Sequence, residues 1–297
     1  MNKERAGELF IFSEVATWGL FPVITVLSFK AVPSMISLAL STFFSSIFFL
    51  LIVLFRGKLH ELKNILLWKY VLGIVLFIGV LFYAFYFWGL TKTTPGNAGL
   101  IGLFEIFTSY LLFNLIRKEH FSFESKIGAT LMVLGAIIVL APNFSSVNFG
   151  DLFILIATFC APLGNLFQQK AKTIASTEAI LFLRSIIATP IIFLLAYAFE
   201  QHLVMSEVKE SFLFLILNGL IILGLSKMFW LEGIARISVT KANALGSLAP
   251  LFTLLAAWVF LHQAPTLWQI TSLVPLFLGV LLLTNNLKLK YSYAQSN

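Results

Sequence analysis

Apolar stretches of about 20 residues recur along the whole chain, and they restrict its possible folds more than any other feature. Each stretch is long enough for a helix to cross a hydrocarbon core about 30 Å thick. Short breaks with charged or turn residues separate the stretches, which we place at residues 9–29, 33–55, 70–91, 96–116, 125–141, 150–169, 177–199, 211–234, 241–261 and 266–286. The sequence therefore predicts an all-α integral membrane protein with ten transmembrane helices, and nine or eleven helices remain alternative counts.

The composition excludes most classes of water-soluble protein. Hydrophobic residues make up 59% of the chain and charged residues 11%, whereas a soluble domain has about 45–50% and about 25%. The net charge of +7 lies in the short breaks, without a basic stripe or an RNA-binding motif, so we expect no nucleic-acid partner. Cys160 is the only cysteine, which excludes intramolecular disulfides and cysteine-based metal sites.

Motifs of catalysis and nucleotide binding are absent from the sequence. The four histidines lie in predicted loops or at helix ends, and Asp151 is the only aspartate. Because no HExxH, GxSxG or P-loop motif is present, we expect neither a membrane-embedded enzyme nor an ATP-driven pump. We expect no cofactor and no metal. The predicted partners are the lipid bilayer and a small-molecule substrate, and the protein acts as a monomer or a homodimer.

The distribution of lysine and arginine indicates the orientation in the membrane. If the N-terminus is cytoplasmic, 15 of the 20 basic residues fall on the cytoplasmic side and three on the opposite side. The remaining two, Arg184 and Lys227, lie within spans. Because cytoplasmic loops carry an excess of basic residues, we predict a multi-pass protein of the cytoplasmic (inner) membrane with both termini in the cytoplasm.

The two halves of the chain are weakly similar to each other. At an offset of 143, the segment GELFIF at 7–12 lies over GDLFIL at 150–155. At an offset of 144 the coincident pairs include Gly89 with Gly233, Ala98 with Ala242, Gly102 with Gly246 and Gly135 with Gly279. Since each copy holds five spans, an odd number, the second copy enters the membrane upside down, as in many secondary transporters.

This repeat divides the chain into three predicted parts. Residues 1–141 form a first five-helix repeat, residues 142–287 form a second and inverted one, and residues 288–297 form a cytoplasmic tail. The alternative is a single helical bundle whose halves match by chance, since leucine and phenylalanine matches are common in so apolar a chain.

Short motifs connect this pattern with a known family. Trp18-Gly19 in the first helix, Gly150-Asp151 at the start of the sixth helix and Glu119 after the fourth helix resemble the EamA family of the drug/metabolite transporter superfamily. The resemblance covers nearly the whole chain. It implies a transporter built from two EamA-like repeats, and it leaves the substrate open.

The motifs that this family carries within its helices are kept only in part. The family places a Glu-Pro pair in the fourth and ninth helices, where this chain keeps Glu105 in one copy and Pro250 in the other. Arg184 matches an arginine that the family often has in the second helix of a repeat, whereas the first copy has Ser41 there. Gln263 stands where the second copy would have its glutamate after the helix.

Five ionisable residues lie within the predicted spans away from their ends, namely Glu14, Glu105, Arg184, Lys227 and Glu232, the last of them near the cytoplasmic interface. Burying a charge at the bilayer centre costs at least ~2.5–3.5 kcal/mol, so such a residue faces the bundle interior, a partner or water. With a rise of about 1.5 Å per residue, Glu14, Arg184 and Lys227 share one level near the cytoplasmic side. Glu14 is therefore predicted to pair with Lys227 or Arg184, either as a structural tie or as part of a substrate site.

Glu105 lies near the midplane without a basic residue at its own depth. A buried carboxyl group moves towards its neutral form and can then carry a proton across the membrane. We therefore predict that Glu105, together with Glu14 and Arg184, serves in proton or charge coupling. The alternatives are a protonated Glu105 bonded to a neighbouring helix and an Arg184 that only tethers helices.

Aromatic residues at helical spacing point to a binding surface. Tyr83 and Tyr86 occupy the same repeat positions as Lys227 and Trp230, and a spacing of i, i+3 puts each pair on one helix face. Rings with polar tips suit an amphipathic or cationic ligand, although packing between helices is an equal alternative. The predicted substrate-binding residues are Trp18, Tyr83, Tyr86, Asn165, Lys227 and Trp230.

These features predict a secondary active transporter that works by alternating access. The expected substrate is a small amphipathic or zwitterionic, amino-acid-like metabolite, and a proton is the expected coupling ion. Two alternatives remain open: a transporter of a cationic metabolite such as S-adenosylmethionine, and a flippase for a lipid-linked substrate.

Overall fold

Helices account for nearly all of the computed structural model, which describes residues 3–29, 31–117, 122–140, 148–199, 201–237 and 239–283. No strand occurs within these ranges. Only helices and closed barrels satisfy every backbone hydrogen bond inside a bilayer, so a chain this apolar is expected to be helical. Glu119, both chain termini and the predicted tail at 288–297 lie outside the described residues.

The first half of the chain contains eight α-helices, a 3-10 helix and a π-helix within the described ranges. They are α1 (Lys3–Gly19), α2 (Phe21–Ser28), α3 (Ser34–Phe55), the 3-10 helix (Leu59–Lys63), α4 (Ile65–Ile74), the π-helix π1 (Val75–Phe82), α5 (Tyr83–Leu90), α6 (Pro95–Gly102), α7 (Phe104–Arg117) and α8 (Phe123–Leu140).

The described part of the second half continues in a similar order. It contains α9 (Phe149–Lys172), α10 (Thr177–Ala198), α11 (Met205–Leu217), the π-helix π2 (Asn218–Ser226), α12 (Lys227–Ile234), α13 (Val239–Gly246), α14 (Ala249–Leu261) and α15 (Leu267–Leu283).

Eight helical stretches of the described chain are long and apolar enough to cross a membrane. They are Lys3–Ser28, Ser34–Phe55, Ile65–Leu90, Phe123–Leu140, Phe149–Lys172, Thr177–Ala198, Met205–Ile234 and Lys241–Leu261. The chain is therefore an all-α, multi-pass membrane protein, as predicted. Of the other two predicted spans, one coincides with α6 and α7, which a break separates, and the other with the shorter α15. The count of ten remains a prediction.

Irregularities in the helices recur at matching positions of the two halves. The π-helices π1 and π2 begin 143 residues apart and end 144 residues apart. The break between α6 and α7 falls at Leu103, and the break between α13 and α14 falls at Ser247 and Leu248. Pro250 lacks the N–H that would continue the second helix, but the first break forms without a proline. The shared irregularity therefore belongs to the fold and not to one proline.

Close contacts between the halves also come in reciprocal pairs. A Cβ on Gly150 would touch the backbone of Lys92 and Thr93, and a Cβ on Gly7 would touch the residues at the equivalent positions, Arg236 and Ile237. In the same way, Gly89 meets Ile154 and Gly233 meets Ile11. Such exchanged contacts are typical of two units related by a two-fold axis, where each contact between two residues recurs between their equivalents.

The helices α8 and α15 pack through glycines in the same reciprocal manner. A Cβ on Gly128 would lie 2.9 Å from the carbonyl oxygen of Gly279, so the two backbones are in direct contact. Gly135 packs on Leu276. Gly279, the equivalent of Gly135, packs on Met132, the equivalent of Leu276. Small residues allow this close approach of membrane helices, which gain stability from packing because lipid is as apolar as their side chains.

We expect Gly128→Val to destabilise the protein by about 1–3 kcal/mol, the usual effect of overpacking. The atoms nearest to the new Cβ include backbone atoms of Gly279 and Leu283, which cannot move aside as a flexible side chain would. The measurement is the unfolding midpoint of the detergent-solubilised protein. Gly246→Ala is the matched control, because a Cβ there meets nothing within 4 Å. An unchanged midpoint for Gly128→Val would contradict the close packing of α8 on α15.

Candidate functional site

A cavity of about 140 Å³ lies between the two halves of the chain. The first half lines it from α1, α2, π1, α5, α6 and α7, and the second half lines it from α9, α10, α12, α13 and α14. All nine predicted site residues lie at this cavity, namely Glu14, Trp18, Tyr83, Tyr86, Glu105, Asn165, Arg184, Lys227 and Trp230. The fold therefore brings together side chains that are up to 216 residues apart in sequence.

The two π-helices aim the predicted faces at this cavity. Tyr83 and Tyr86 follow directly after π1, and Lys227 and Trp230 follow directly after π2. A π-helix holds more residues per turn than an α-helix, and it is a rare element that frequently occurs at functional sites. Each π-helix thus changes the angular phase of the following turn, and the same change occurs in both halves.

Glu14 and Lys227 form an ion pair at the cavity wall. Lys227 Nζ lies 3.6 Å from Glu14 Oε1, and Glu14 is only 4% exposed. The same Nζ lies 3.2 Å from the centroid of the Trp18 ring, within the range of a cation–π interaction. Trp18 is held by stacking on Phe21, with ring centroids 4.3 Å apart. Of the two partners predicted for Glu14, the structure selects Lys227.

Arg184 is a buried cation without a carboxylate partner among the described residues. It is 2% exposed, and its Nη2 donates a hydrogen bond to the carbonyl oxygen of Leu223 at 3.3 Å. Its Nη1 has no hydrogen-bond partner in the described chain, and its Cζ lies 6.0 Å from the Tyr83 ring centroid. Because an uncompensated buried charge is costly, this guanidinium is suited to bind an anionic group that enters the cavity.

Glu105 lies in the first turn of α7, directly after the break at Leu103. A helix N-terminus favours a negative charge, and Asn165 Nδ2 donates a hydrogen bond to Glu105 Oε1 at 3.2 Å. Lys227 lines the same cavity, but its ion pair within 4.0 Å is with Glu14. Glu105 therefore has a neutral partner and no close basic one in the described part of the chain.

Aromatic rings form much of the remaining wall. The Phe21 ring lies 4.8 Å from that of Tyr86, whose hydroxyl donates a hydrogen bond to the carbonyl oxygen of Ala98 at 3.0 Å. Trp230 lies on the side contributed by α12. The Tyr86 hydroxyl is thus occupied by the protein, so the Tyr86 ring remains as an apolar surface for a ligand.

Sequence reasoning missed several residues of the wall. Ser109 and Thr253 both line the cavity, and they occupy equivalent positions of the two repeats. Thr253 Oγ1 donates a hydrogen bond to the carbonyl oxygen of Gly19 at 2.7 Å. Gly102 and Gly246, noted only as a matching pair, leave space at the cavity because they have no side chain. A search for small polar or glycine residues at equivalent repeat positions would have found them.

Glu232 does not line the cavity. Its carboxylate accepts hydrogen bonds from Arg236 Nη1 at 2.6 Å and from Thr177 Oγ1 at 2.9 Å, and Lys172 Nζ lies 3.4 Å away. These residues join α12 to the end of α9 and the start of α10. We interpret this cluster as a structural connection.

Known proteins with similar sequences identify the family of this chain. A model of the EamA-like transporter family matches residues 5–141 and matches again at residues 148–285. The chain belongs to the EamA-like transporter family. The resemblance predicted from the sequence motifs is thus confirmed.

Two curated relatives are themselves named as uncharacterized transporters. Transporter sll1164 of Synechocystis sp. (strain ATCC 27184 / PCC 6803 / Kazusa) is 24% identical over 217 residues, which are 68% of this chain and 61% of the relative. YetK of Bacillus subtilis (strain 168) is 33% identical over 136 residues, 43% of this chain and 40% of the relative. The matched part of the chain thus spans less than two thirds of either relative.

A solved crystal structure has the same fold as this EamA-like protein. The match covers 95% of this chain and 98% of the other chain, with a TM-score of 0.71 and 21% sequence identity. At this identity the likeness concerns the fold alone.

We expect Glu14→Gln and Lys227→Met each to destabilise the protein, because each leaves one buried charge without its partner. Such a loss costs about 3–5 kcal/mol in soluble proteins. The double variant removes both charges and is expected to recover most of the loss in the unfolding midpoint. If the double variant loses as much as the two single variants together, the ion pair does not couple these residues.

Proposed function

We propose that this EamA-like protein is a secondary transporter of a small zwitterionic or amphipathic, amino-acid-like metabolite. The observation that carries the proposal is one aromatic-walled cavity between the halves, lined by the buried Arg184, the partly buried Lys227 and the carboxyl groups of Glu14 and Glu105. Arg184 has a free donor for the carboxylate of the substrate. Trp18, Tyr83, Tyr86 and Trp230 surround its apolar part, Glu14 and Asn165 contact its polar groups, and Lys227 lies beside Glu14 in the same wall.

The proposed topology has ten transmembrane helices, with residues 1–141 and 142–287 as inverted repeats. The two family matches, the equivalent π-helices and the reciprocal glycine contacts support it. In this topology α6 with α7 and α15 are the two further spans, and the predicted tail at 288–297 follows the last one. The excess of basic residues in alternate loops supports a cytoplasmic location for both termini in the inner membrane.

The size of the cavity favours a small substrate. A volume of about 140 Å³ is several times the ~10–15 Å³ that one water molecule requires, so the cavity has room for a small ligand. S-adenosylmethionine and a lipid-linked substrate are considerably larger than an amino acid. We therefore favour the amino-acid-like substrate over these two alternatives.

Alternating access requires that the walls of the cavity move relative to each other. The breaks after α6 and α13 lie at equivalent positions, and both preceding helices end in a cavity glycine, Gly102 or Gly246. Broken helices at the substrate site are typical of inverted-repeat transporters. In the proposed mechanism, bundles of helices rock about these breaks and expose the cavity to each side in turn.

Glu105 is the proposed proton carrier. Its hydrogen bond with Asn165 and its lack of a close basic partner in the described chain allow it to change its protonation state without breaking an ion pair. A proton bound there on one side of the membrane and released on the other would couple transport to the proton gradient.

Uptake of amino acids and other small metabolites into proteoliposomes tests the transport function. We expect uptake of a zwitterion by the wild type to depend on the direction of an imposed proton gradient and to lose this dependence when an ionophore removes the gradient. In Glu105→Gln we expect uptake that no longer depends on the gradient. Glu210→Gln, at an exposed carboxylate of α11, is the matched control and should behave like the wild type. Gradient-independent uptake by the wild type would exclude proton coupling.

We expect Gly246→Leu to abolish most uptake without lowering the unfolding midpoint. A Cβ at Gly246 meets nothing within 4 Å, and the residue lines the cavity, so a leucine side chain would fill the space of the substrate. Gly246→Ala is the control, because it also replaces the glycine but leaves most of the cavity space open. Normal uptake by a stable Gly246→Leu protein would show that the substrate binds elsewhere.

A further inference from the structure

The ammonium group of Lys227 occupies a site suited to any small organic cation. It lies 3.2 Å from the Trp18 ring centroid and 3.6 Å from Glu14 Oε1. A ring face combined with a buried carboxylate attracts an ammonium group, whether it is tethered to the chain or free. Both walls are fixed, since Glu14 is 4% exposed and Trp18 stacks on Phe21.

Charge pairing in the cavity is incomplete without a ligand. Among the described residues, the Glu14–Lys227 pair is closed, while Arg184 has no carboxylate partner and Glu105 has no basic group within 4.0 Å. The cavity therefore contains one cation, Arg184, and one carboxyl group, that of Glu105, without an ion-pair partner among these residues. Arg184 can bind the carboxylate of a zwitterion, but the ammonium of that zwitterion finds its natural subsite already filled by Lys227.

We propose that Lys227 is an internal substitute for the cationic group of the substrate. On binding, a substrate ammonium displaces Lys227 from the subsite formed by Glu14 and Trp18, and Lys227 moves to Glu105. The flexible four-carbon stem of lysine allows this movement, and Lys227 and Glu105 line the same cavity. The inference rests on the proposed function in taking this cavity as the substrate site.

This exchange gives every charge in the cavity a partner. The substrate ammonium pairs with Glu14, its carboxylate pairs with Arg184, and Lys227 pairs with Glu105. The exchange also limits the affinity for the substrate, because the tethered Lys227 ammonium competes for the subsite at an effective concentration on the order of millimolar. Competition of this kind favours release of the substrate, which a transporter needs after each crossing.

Binding of methylammonium chloride to the purified protein tests the subsite directly. The readout is thermal stabilisation over a concentration series, with sodium chloride at equal ionic strength as the blank. We expect Lys227→Met to bind methylammonium at least about tenfold more tightly than the wild type, since the tethered competitor is removed. Lys227→Ala is the second variant, and Lys172→Met, in the Glu232 cluster, is the matched control that should not gain affinity.

Two further variants distinguish this exchange from binding of methylammonium in the space that the Lys227 side chain leaves. Adding Glu14→Gln to Lys227→Met should abolish the gain, because the carboxylate of the subsite is lost. Glu105→Gln should weaken methylammonium binding in the wild-type background but not in Lys227→Met, since only a displaced Lys227 needs Glu105. Equal weakening in both backgrounds would overturn the movement of Lys227 to Glu105.

The outcome for the subsite is independent of the outcome for transport. If both Lys227 variants bind methylammonium no more tightly than the wild type, Lys227 is not a competitor and the inference is wrong, even when uptake is normal. If both bind it more tightly while no metabolite is taken up, the subsite stands and the proposed transport function fails.

Discussion

An ionised side chain in a membrane protein needs a partner, and this requirement organises the whole molecule. Glu14, Glu105, Arg184 and Lys227 lie in apolar stretches where an isolated charge would be too costly. The helices that carry them therefore meet at one central cavity. Helices without charges at membrane depth, such as α8 and α15, are free to pack through glycines at the periphery.

The two-fold relation of the halves explains how a cavity with walls from eleven helices is assembled. Each reciprocal contact occurs twice, once in each direction between the halves: Gly89 packs on Ile154, and the equivalent Gly233 packs on Ile11. The π-helices are also duplicated, and both end just before residues of the cavity wall. Divergence of the copies then places a tyrosine in one half and Lys227 in the other, so that a symmetric frame holds an asymmetric set of charges.

Much of the candidate site was predictable because transmembrane helices restrict position along one axis. Depth along a helix follows from residue count, so counting residues is enough to place Glu14, Arg184 and Lys227 at one level of the membrane. The choice of Lys227 over Arg184 as the partner of Glu14 was not predictable. Helical phase is read from the contrast between polar and apolar faces, and these helices are apolar on every face. Thr253 was not predicted, because these helices have no polar periodicity that would distinguish one hydroxyl side chain from another.

The sequence by itself determined the membrane-spanning character, the family and the set of candidate residues, because these depend on the length of apolar runs, on motifs and on the rarity of buried charge. The tertiary structure alone decided which charges pair and which remain open. The π-helices set the rotation of α5 and α12 about their axes, and the breaks at Leu103 and Ser247 orient the helices that follow. The break at Leu103 forms without a proline, so its position could not be predicted from a local sequence pattern.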